Sequence, residues 1–318
     1  MRVFVAGATG VLGRRLVARL AGHGHDVIGL SRRPENDAVI RSAGGEPRRG
    51  DLFNVDSLVS AAQGSEVLVR AATSIPSGIR FRRRDWIPND RIRTQGTKAL
   101  LEACAQVGAR AYIQEGIVWI ATPRDGSLFD EDTSPDPQLW FGTAAEAEQI
   151  ARAAGEKNGF ATSTVRFGTF YCADAAQTRY MGERLVRGKL PIVGPGDNFW
   201  SCTHVDDAAD AMTAVIESQA SGIFHAVDNQ PVSLAEFFIA FADALGAPAP
   251  KHVPRWLARL ALGPETLDFL TLSTRTSSAK LRRELGWVPR YPTVREGFRQ
   301  VVEAWRADGF IPGRGAGG

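Results

Sequence analysis

Three glycines near the N-terminus carry the clearest chemistry in this 318-residue sequence. Gly7, Gly10 and Gly13 are spaced G-x-x-G-x-x-G in VFVAGATGVLGRRLVARL, after a strand-like run and at the opening of a helical pattern. In that setting the first glycine makes a tight turn and the second lets backbone approach a pyrophosphate. The third lets helix and strand pack closely. Free backbone N–H groups and the positive end of the helix dipole then favour a diphosphate. The segment predicts a dinucleotide site.

The next strand-like run ends VIGLSRRPE. Sites that take NAD usually place an acidic residue there for the ribose hydroxyls; this chain places Ser31, Arg32 and Arg33. Guanidinium groups suit a 2′-phosphate through charge-assisted, bidentate hydrogen bonds. The expected cofactor is therefore NADP(H), with Arg14 as a further phosphate contact. The alternative for the arginine pair is a solvated basic loop.

These residues need elements to hold them. Strand-like runs fall at Val3–Ala6, Val27–Leu30, Val67–Val69 and Ala111–Gln114. Between them, Val11–Ala21, Pro34–Ala43, Val55–Ala62 and Ile92–Val107 space their apolar residues for one helix face. Such alternation implies βαβ units, a parallel sheet and right-handed crossovers. Beyond it, Phe141–Ala154 reads as a helix, Thr162–Phe167 as a strand, and Ala175–Arg187 and Asp206–Glu217 as helices, with Asp206 as N-cap. Ser233 with Glu236, and Thr293 with Glu296, fit capping boxes. The predicted fold class is α/β: a Rossmann-type doubly wound parallel sheet with a smaller, mainly helical C-terminal substrate lobe. Residues 1–170 form the dinucleotide-binding domain, with sheet contributions from about 200–228, and residues 171–310 the interleaved lobe. Residues 311–318 read as a flexible tail.

Composition narrows the function. The 38 basic residues nearly balance 35 acidic ones, for a net charge of +3, so no concentrated basic face argues for nucleic acid. No window reaches the roughly 18 uninterrupted apolar residues of a membrane span. Cys104, Cys172 and Cys202 lie too far apart for a zinc motif or a disulfide framework. The cytoplasm is the expected compartment. The five histidines lack thiolate or carboxylate partners at ligand spacing, so no metal is expected.

From these motifs the sequence resembles the short-chain dehydrogenase/reductase superfamily, in its extended, NAD-dependent epimerase/dehydratase-like form. GATGVLG matches the phosphate loop, which implies Thr9, Val11 and Leu12 beside the cofactor. GDLFNVDSL is similar to the third strand and following helix, implying that Asp51 and Leu52 flank the adenine. Ala71, Ala72 and Thr73 match the stretch beside the cofactor ribose. QGTKALLEAC, TVRFGTFY and CTHVDDAADAM resemble three further family segments.

The departures say more. The family's catalytic set is a Ser or Thr after the fifth strand and a Tyr-x-x-x-Lys on the next helix. In AYIQEGIVWIA and WFGTAAEAEQ the resemblance places Gly116, Phe141 and Ala145 at those positions. Arg93 stands where the family commonly has asparagine. Acid–base catalysis, worth roughly 10²–10⁴-fold, then has no assigned residue. Glu115 and Tyr171 are the catalytic candidates, Glu115 as a base or anchor at the end of the fifth strand. Tyr180 is a further possible donor, and Gln114 a neutral anchor. Strand alternation lets only one of Gln114 and Glu115 face the site. Glu115, Gly116, Trp119, Phe141, Phe170 and Trp200 form the expected substrate pocket, whose aromatic members suit a flat, apolar molecule. The arginines of IRFRRRDW read as a solvated loop or as a lid meeting an anion.

These readings converge on an NADPH-dependent oxidoreductase acting on an aromatic or quinone-like small molecule. The alternatives are a non-redox isomerase or cyclase that keeps NADP as a structural cofactor, and an NADP-sensing regulatory protein. The helices Ile92–Val107 and Phe141–Ala154 are the expected contact of a homodimer, as the resemblance implies.

Overall fold

A computed structural model describes residues 1–76 and 80–311. The apolar runs assemble into one parallel sheet of seven strands: β1 (Arg2–Ala6), β2 (Asp26–Ser31), β3 (Glu46–Arg49), β4 (Val67–Arg70), β5 (Ala111–Ile117), β6 (Ala161–Phe167) and β7 (Gly222–Ala226), in the order β7-β6-β5-β4-β1-β2-β3. The chain runs outward from β1 through β2 to β3, then returns to place β4 on the other side of β1. That reversal opens a crevice beyond the strand carboxyl ends, where ligands of such sheets bind. Alternation along β1 sends Val3 and Val5 to one buried face and Phe4 and Ala6 to the other. Both faces are covered, as a parallel sheet requires.

β3 is the strand that periodicity does not predict. Its sequence, Glu-Pro-Arg-Arg, is charged and carries a proline, which an edge position tolerates. The segment GDLF, matched to a third strand by resemblance, follows β3 and leads into the helix Val55–Ala62, capped by the Asn54 side chain. The run from Ile92 to Val107 continues a helix begun at Ile87; it passes through a π-helical turn at Ile92–Gly96 before settling into Thr97–Gln106. Such turns recur at functional sites, and this one carries Arg93.

The helix Val205–Ser218 returns from the C-terminal half to pack on the helix Val11–Gly22. Its cap is His204 rather than Asp206: His204 Nδ1 accepts from the Asp206 amide at 3.2 Å, which leaves the Asp206 carboxylate free to pair with Arg15 at 2.5 Å. The Ser233 capping box closes in both directions. The Thr293 one does not, because its hydroxyl bonds the Glu296 carboxylate and no side chain caps the helix amides. The C-terminal lobe has its own core, built around Trp200, Phe237, Phe241, Phe298 and Trp305. No helix among the described residues is long and apolar enough to cross a membrane. Apart from Ile311, the expected tail lies outside the described residues.

Candidate functional site

One cleft of about 560 Å³ runs across the carboxyl ends of β1, β4 and β5 to the C-terminal lobe. Its floor is the glycine turn. Gly7 has φ +96°, and a Cβ there would lie 2.5 Å from the Ala72 amide nitrogen. A Cβ on Gly13 would lie 1.9 Å from the Gly7 carbonyl oxygen, so this glycine locks helix to strand and does not itself line the cleft. Gly10 is different: its amide donates to the Gly7 carbonyl at 3.0 Å, and an added Cβ would meet protein only at 3.3 Å. Gly7, Thr9, Gly10, Val11 and Leu12 line the cleft. The helix starting at Val11 has no side-chain cap and no acid in its first turn. An uncapped helix start of this kind suits a pyrophosphate.

The end beyond β2 separates residues that the sequence leaves grouped. Arg32 and Asn36 line the cleft, and Arg33 does not. Ser31 is buried: its hydroxyl donates to Asp37 Oδ1 at 2.6 Å and accepts from Arg49 Nη1 at 2.6 Å. Arg49 in turn reaches Asp37 Oδ2 at 2.7 Å. Arg14 is held by an ion pair with Asp174 and stands outside the cleft lining. Leu52 and Phe53 line the cleft, whereas Asp51 does not and turns back to accept from the Phe53 amide at 3.0 Å. Ala71, Ala72 and Thr73 line the cleft where β4 ends.

On β5, Glu115 and Ile117 face the cleft. Gly116 faces the other side, where a Cβ would lie 2.5 Å from the Thr164 methyl. The residue lying beside Glu115 on the cleft wall is therefore Ile117, as apolar as the glycine assigned by resemblance. Gln114 also points away, bonding Thr164 at 3.0 Å. Glu115 is buried between two arginines, with Oε2 at 3.4 Å from Arg70 Nη1 and Oε1 at 3.9 Å from Arg93 Nη2. The carboxylate is thus taken up by two guanidinium partners on the cleft wall.

Tyr171 lies outside the cleft. Its ring is fully buried in the lobe core, 5.0 Å from Phe298 and edge-on to His204, and burial pushes its hydroxyl well above the ordinary range. It cannot meet a substrate there. Tyr180 packs against the same core. His204 holds neutral, pushed down to about 4 by burial, and its Nε2 meets Gln300 at 3.1 Å. His23 is exposed but His25 is half-buried, and both contact Glu217 at 2.9 Å. Among the described residues no group of three or more His, Cys, Asp or Glu side chains stands at metal-binding spacing.

The far half of the cleft is aromatic. Trp119, Phe141, Phe170 and Trp200 line it, joined by Trp86, Phe167 and Phe269. Trp119, Phe141 and Phe269 form a triangle with centroids 6.1–6.2 Å apart. Phe269 comes from the helix Pro264–Leu270, which sequence reading left without a role. The segment Arg80–Trp86 closes over it: the Phe81 amide donates to Thr266 Oγ1 at 3.2 Å and the Arg83 amide to Glu265 at 2.8 Å. Phe81 and Trp86 turn inward, while Arg80, Arg82, Arg83 and Arg84 are exposed and do not line the cleft.

The model of the NAD dependent epimerase/dehydratase family matches residues 3–226. The chain belongs to this family. A 3-diazoavenalumate denitrifying reductase from Streptomyces sp is 34% identical over 315 residues, covering 94% of this chain and 99% of that protein. A 4-hydroxy-2-methyl-3-oxo-4-farnesyl-3,4-dihydroquinoline-1-oxide ketoreductase from Stigmatella aurantiaca is 26% identical, covering 99% and 100%. Among solved structures, human epimerase family protein SDR39U1 with NADPH superposes with a TM-score of 0.79 at 21% identity, covering 95% of this chain and 99% of that one. The Thermus thermophilus UDP-glucose 4-epimerase complex with NAD superposes at 0.78 and 23% identity, covering 96% and 99%. The family member described here is an oxidoreductase or epimerase/dehydratase type of enzyme.

Proposed function

We propose that this family member is an NADPH-dependent reductase of an aromatic or quinone-like small molecule that works without an acid–base side chain of its own. One observation carries the reading: a single cavity joins a glycine-turn cradle to aromatic walls, and its described lining contains no Tyr, Lys, His or Cys, its one carboxylate, Glu115, being paired with Arg70 and Arg93. Gly7, Gly10, Val11 and Leu12 would hold the pyrophosphate, and Leu52 and Phe53 the adenine. Arg32 and Asn36 would meet the 2′-phosphate, since the neighbouring acid Asp37 is engaged by Ser31 and Arg49. NADPH bound there supplies a hydride.

The chain's own residues orient and exclude water. Trp119, Phe141 and Phe269 stack a flat ring, and the covering segment with Trp86 keeps solvent from it. Substrates that need no protein-borne proton suit such walls. On a diazonium-bearing ring, hydride replaces the nitrogen group; the C–N electron pair leaves with N₂ and the charge is cancelled without a proton. On a quinone, hydride leaves a phenolate that takes its proton from water. The names of the Streptomyces and Stigmatella relatives, a denitrifying reductase of a diazo compound and a ketoreductase, support this class.

The test is turnover of NADPH by purified protein with menadione and, separately, with a benzenediazonium salt. Enzyme-proportional consumption, with deuterium delivered from labelled NADPH to the ring carbon of the diazonium product, is expected. Tight NADPH binding without oxidation by either acceptor would overturn the redox reading.

A further inference from the structure

The charges where β4 and β5 end do not balance. Arg70 and Arg93, with side chains 1% and 2% exposed, share the single carboxylate of Glu115. Neither contact is a close fork, in contrast to the pair Arg166–Glu148 of the same molecule, which closes at 2.7 and 2.8 Å. Arg70 turns both terminal nitrogens to partners, Nη2 donating to the Glu115 carbonyl at 2.7 Å and Nη1 to the Ala72 carbonyl at 3.2 Å, and leaves only its Nε without one among the described residues. Arg93 has the looser hold on the carboxylate, and its Nη1 is buried without a hydrogen-bond partner among the described residues.

Burying a guanidinium that is incompletely paired costs several kcal/mol, and its persistence on a cleft wall points to an arriving anion. The cofactor pyrophosphate is the weaker claimant. Its cradle follows β1, whereas Arg93 sits over β4 and β5, and β5 is separated from β1 by β4. The cavity that Arg93 lines is the one walled by Trp119, Phe141 and Phe269.

We propose that Arg93 is a specificity-determining residue that receives the carboxylate of an aromatic acid whose ring lies among these aromatic side chains. The ring supplies stacking area, and the fork of Arg93 supplies charge-assisted hydrogen bonds that a neutral analogue forfeits. Glu115 tempers the site: it keeps the arginines in place when the cleft is empty and repels the incoming anion. The inference deepens the proposed function and rests on its aromatic chamber.

Calorimetric titration with trans-cinnamate and with cinnamide, on protein with and without NADPH, separates the possibilities. The wild type is expected to prefer the acid over the amide by about tenfold or more, the value of one charged hydrogen bond. Arg93→Gln is expected to erase that preference while leaving NADPH affinity within about twofold, a negligible free-energy change. Glu115→Gln, which retains both cations, is expected to tighten cinnamate. Equal binding of acid and amide by the wild type, or no binding of either, overturns the proposal. So does a loss of NADPH affinity in Arg93→Gln with the acid preference intact, or weaker cinnamate binding in a folded Glu115→Gln variant. An acid preference that survives in a wild type unable to bind NADPH would remove the cofactor reading and leave the carboxylate site standing.

Discussion

Arg166 and Glu148 form a closed fork, Nε to Oε1 at 2.8 Å and Nη2 to Oε2 at 2.7 Å, with both side chains buried. The pair ties β6 to the helix Gly142–Asn158, whose first turn follows Phe141 on the cleft wall. Removing one partner leaves the other charge buried and uncompensated. Glu148→Ala should therefore cost about 3–5 kcal/mol, read as a lower urea midpoint at unchanged slope. The double variant Arg166→Met, Glu148→Leu should cost less than Glu148→Ala alone. A double variant at least as damaging would show that the pair contributes more than mutual compensation.

The glycines of the cradle should separate by experiment. Gly13→Ala drives a methyl into the Gly7 carbonyl, an overpacking that typically costs about 1–3 kcal/mol, and should lower Tm. Gly10→Ala meets protein only at 3.3 Å, so it should keep Tm and lose dinucleotide affinity. Thermal melts paired with NADPH fluorescence titrations check both. Equal effects of the two substitutions would remove the division between a packing glycine and a ligand-facing one.

Cofactor choice should depend on one arginine of the pair. Arg32 lines the cleft and Arg33 does not. Arg32→Ala should weaken NADPH by roughly 10–100-fold, the value of a charged hydrogen bond, and NADH far less. Arg33→Ala should change neither by more than about twofold, since this side chain is exposed and lies outside the cleft lining, where solvent and salt screen its charge. Equal losses for NADPH and NADH on Arg32→Ala would end the 2′-phosphate assignment.

Acid should act on the fold through His225. Burial, with Arg166 and Lys280 nearby, pushes this imidazole down to about 3. Its neutral form is held by the Thr276 hydroxyl, 2.7 Å from Nδ1. The unfolded chain takes up the proton first as pH falls below about 6.5, the ordinary value, so the folded state loses stability progressively from there down to about 3. The limiting slope is about 1.4 kcal/mol per pH unit. His225→Gln removes this titration, so its stability deficit relative to wild type should narrow between pH 7 and pH 5. A constant deficit in urea unfolding would rule out His225 as a source of acid sensitivity. Raised groups such as Asp207, pushed up to about 6, act in the opposite direction in both proteins and cancel in the difference.

Much of the fold is legible because its signals are local. The runs at β1, β2, β4, β5 and β6 are apolar and separated by helix-period segments, which is enough to specify parallel βαβ units. β3 was hidden because an edge strand is half-exposed and can be built from Glu46, Pro47, Arg48 and Arg49. The site was legible where it follows a single turn, as at Gly7–Leu12. It was obscure where a side chain's direction decides its role: Gly116 and Glu115 are neighbours in sequence, yet strand alternation turns only Glu115 to the cleft.

The sequence by itself determined the glycine turn that opens the first helix, the doubly wound sheet and the absence of a Tyr-x-x-x-Lys pair, because each is a matter of residue type at short spacing. Only the tertiary structure decided the fates of Arg14, Tyr171 and Arg93. Arg14 finds Asp174 across 160 positions, Tyr171 disappears into an aromatic core completed by Phe298, and Arg93 shares Glu115 with Arg70. A charge or a hydroxyl takes its chemistry from its burial and its partners. Those partners are brought together by long-range packing, which no local pattern encodes.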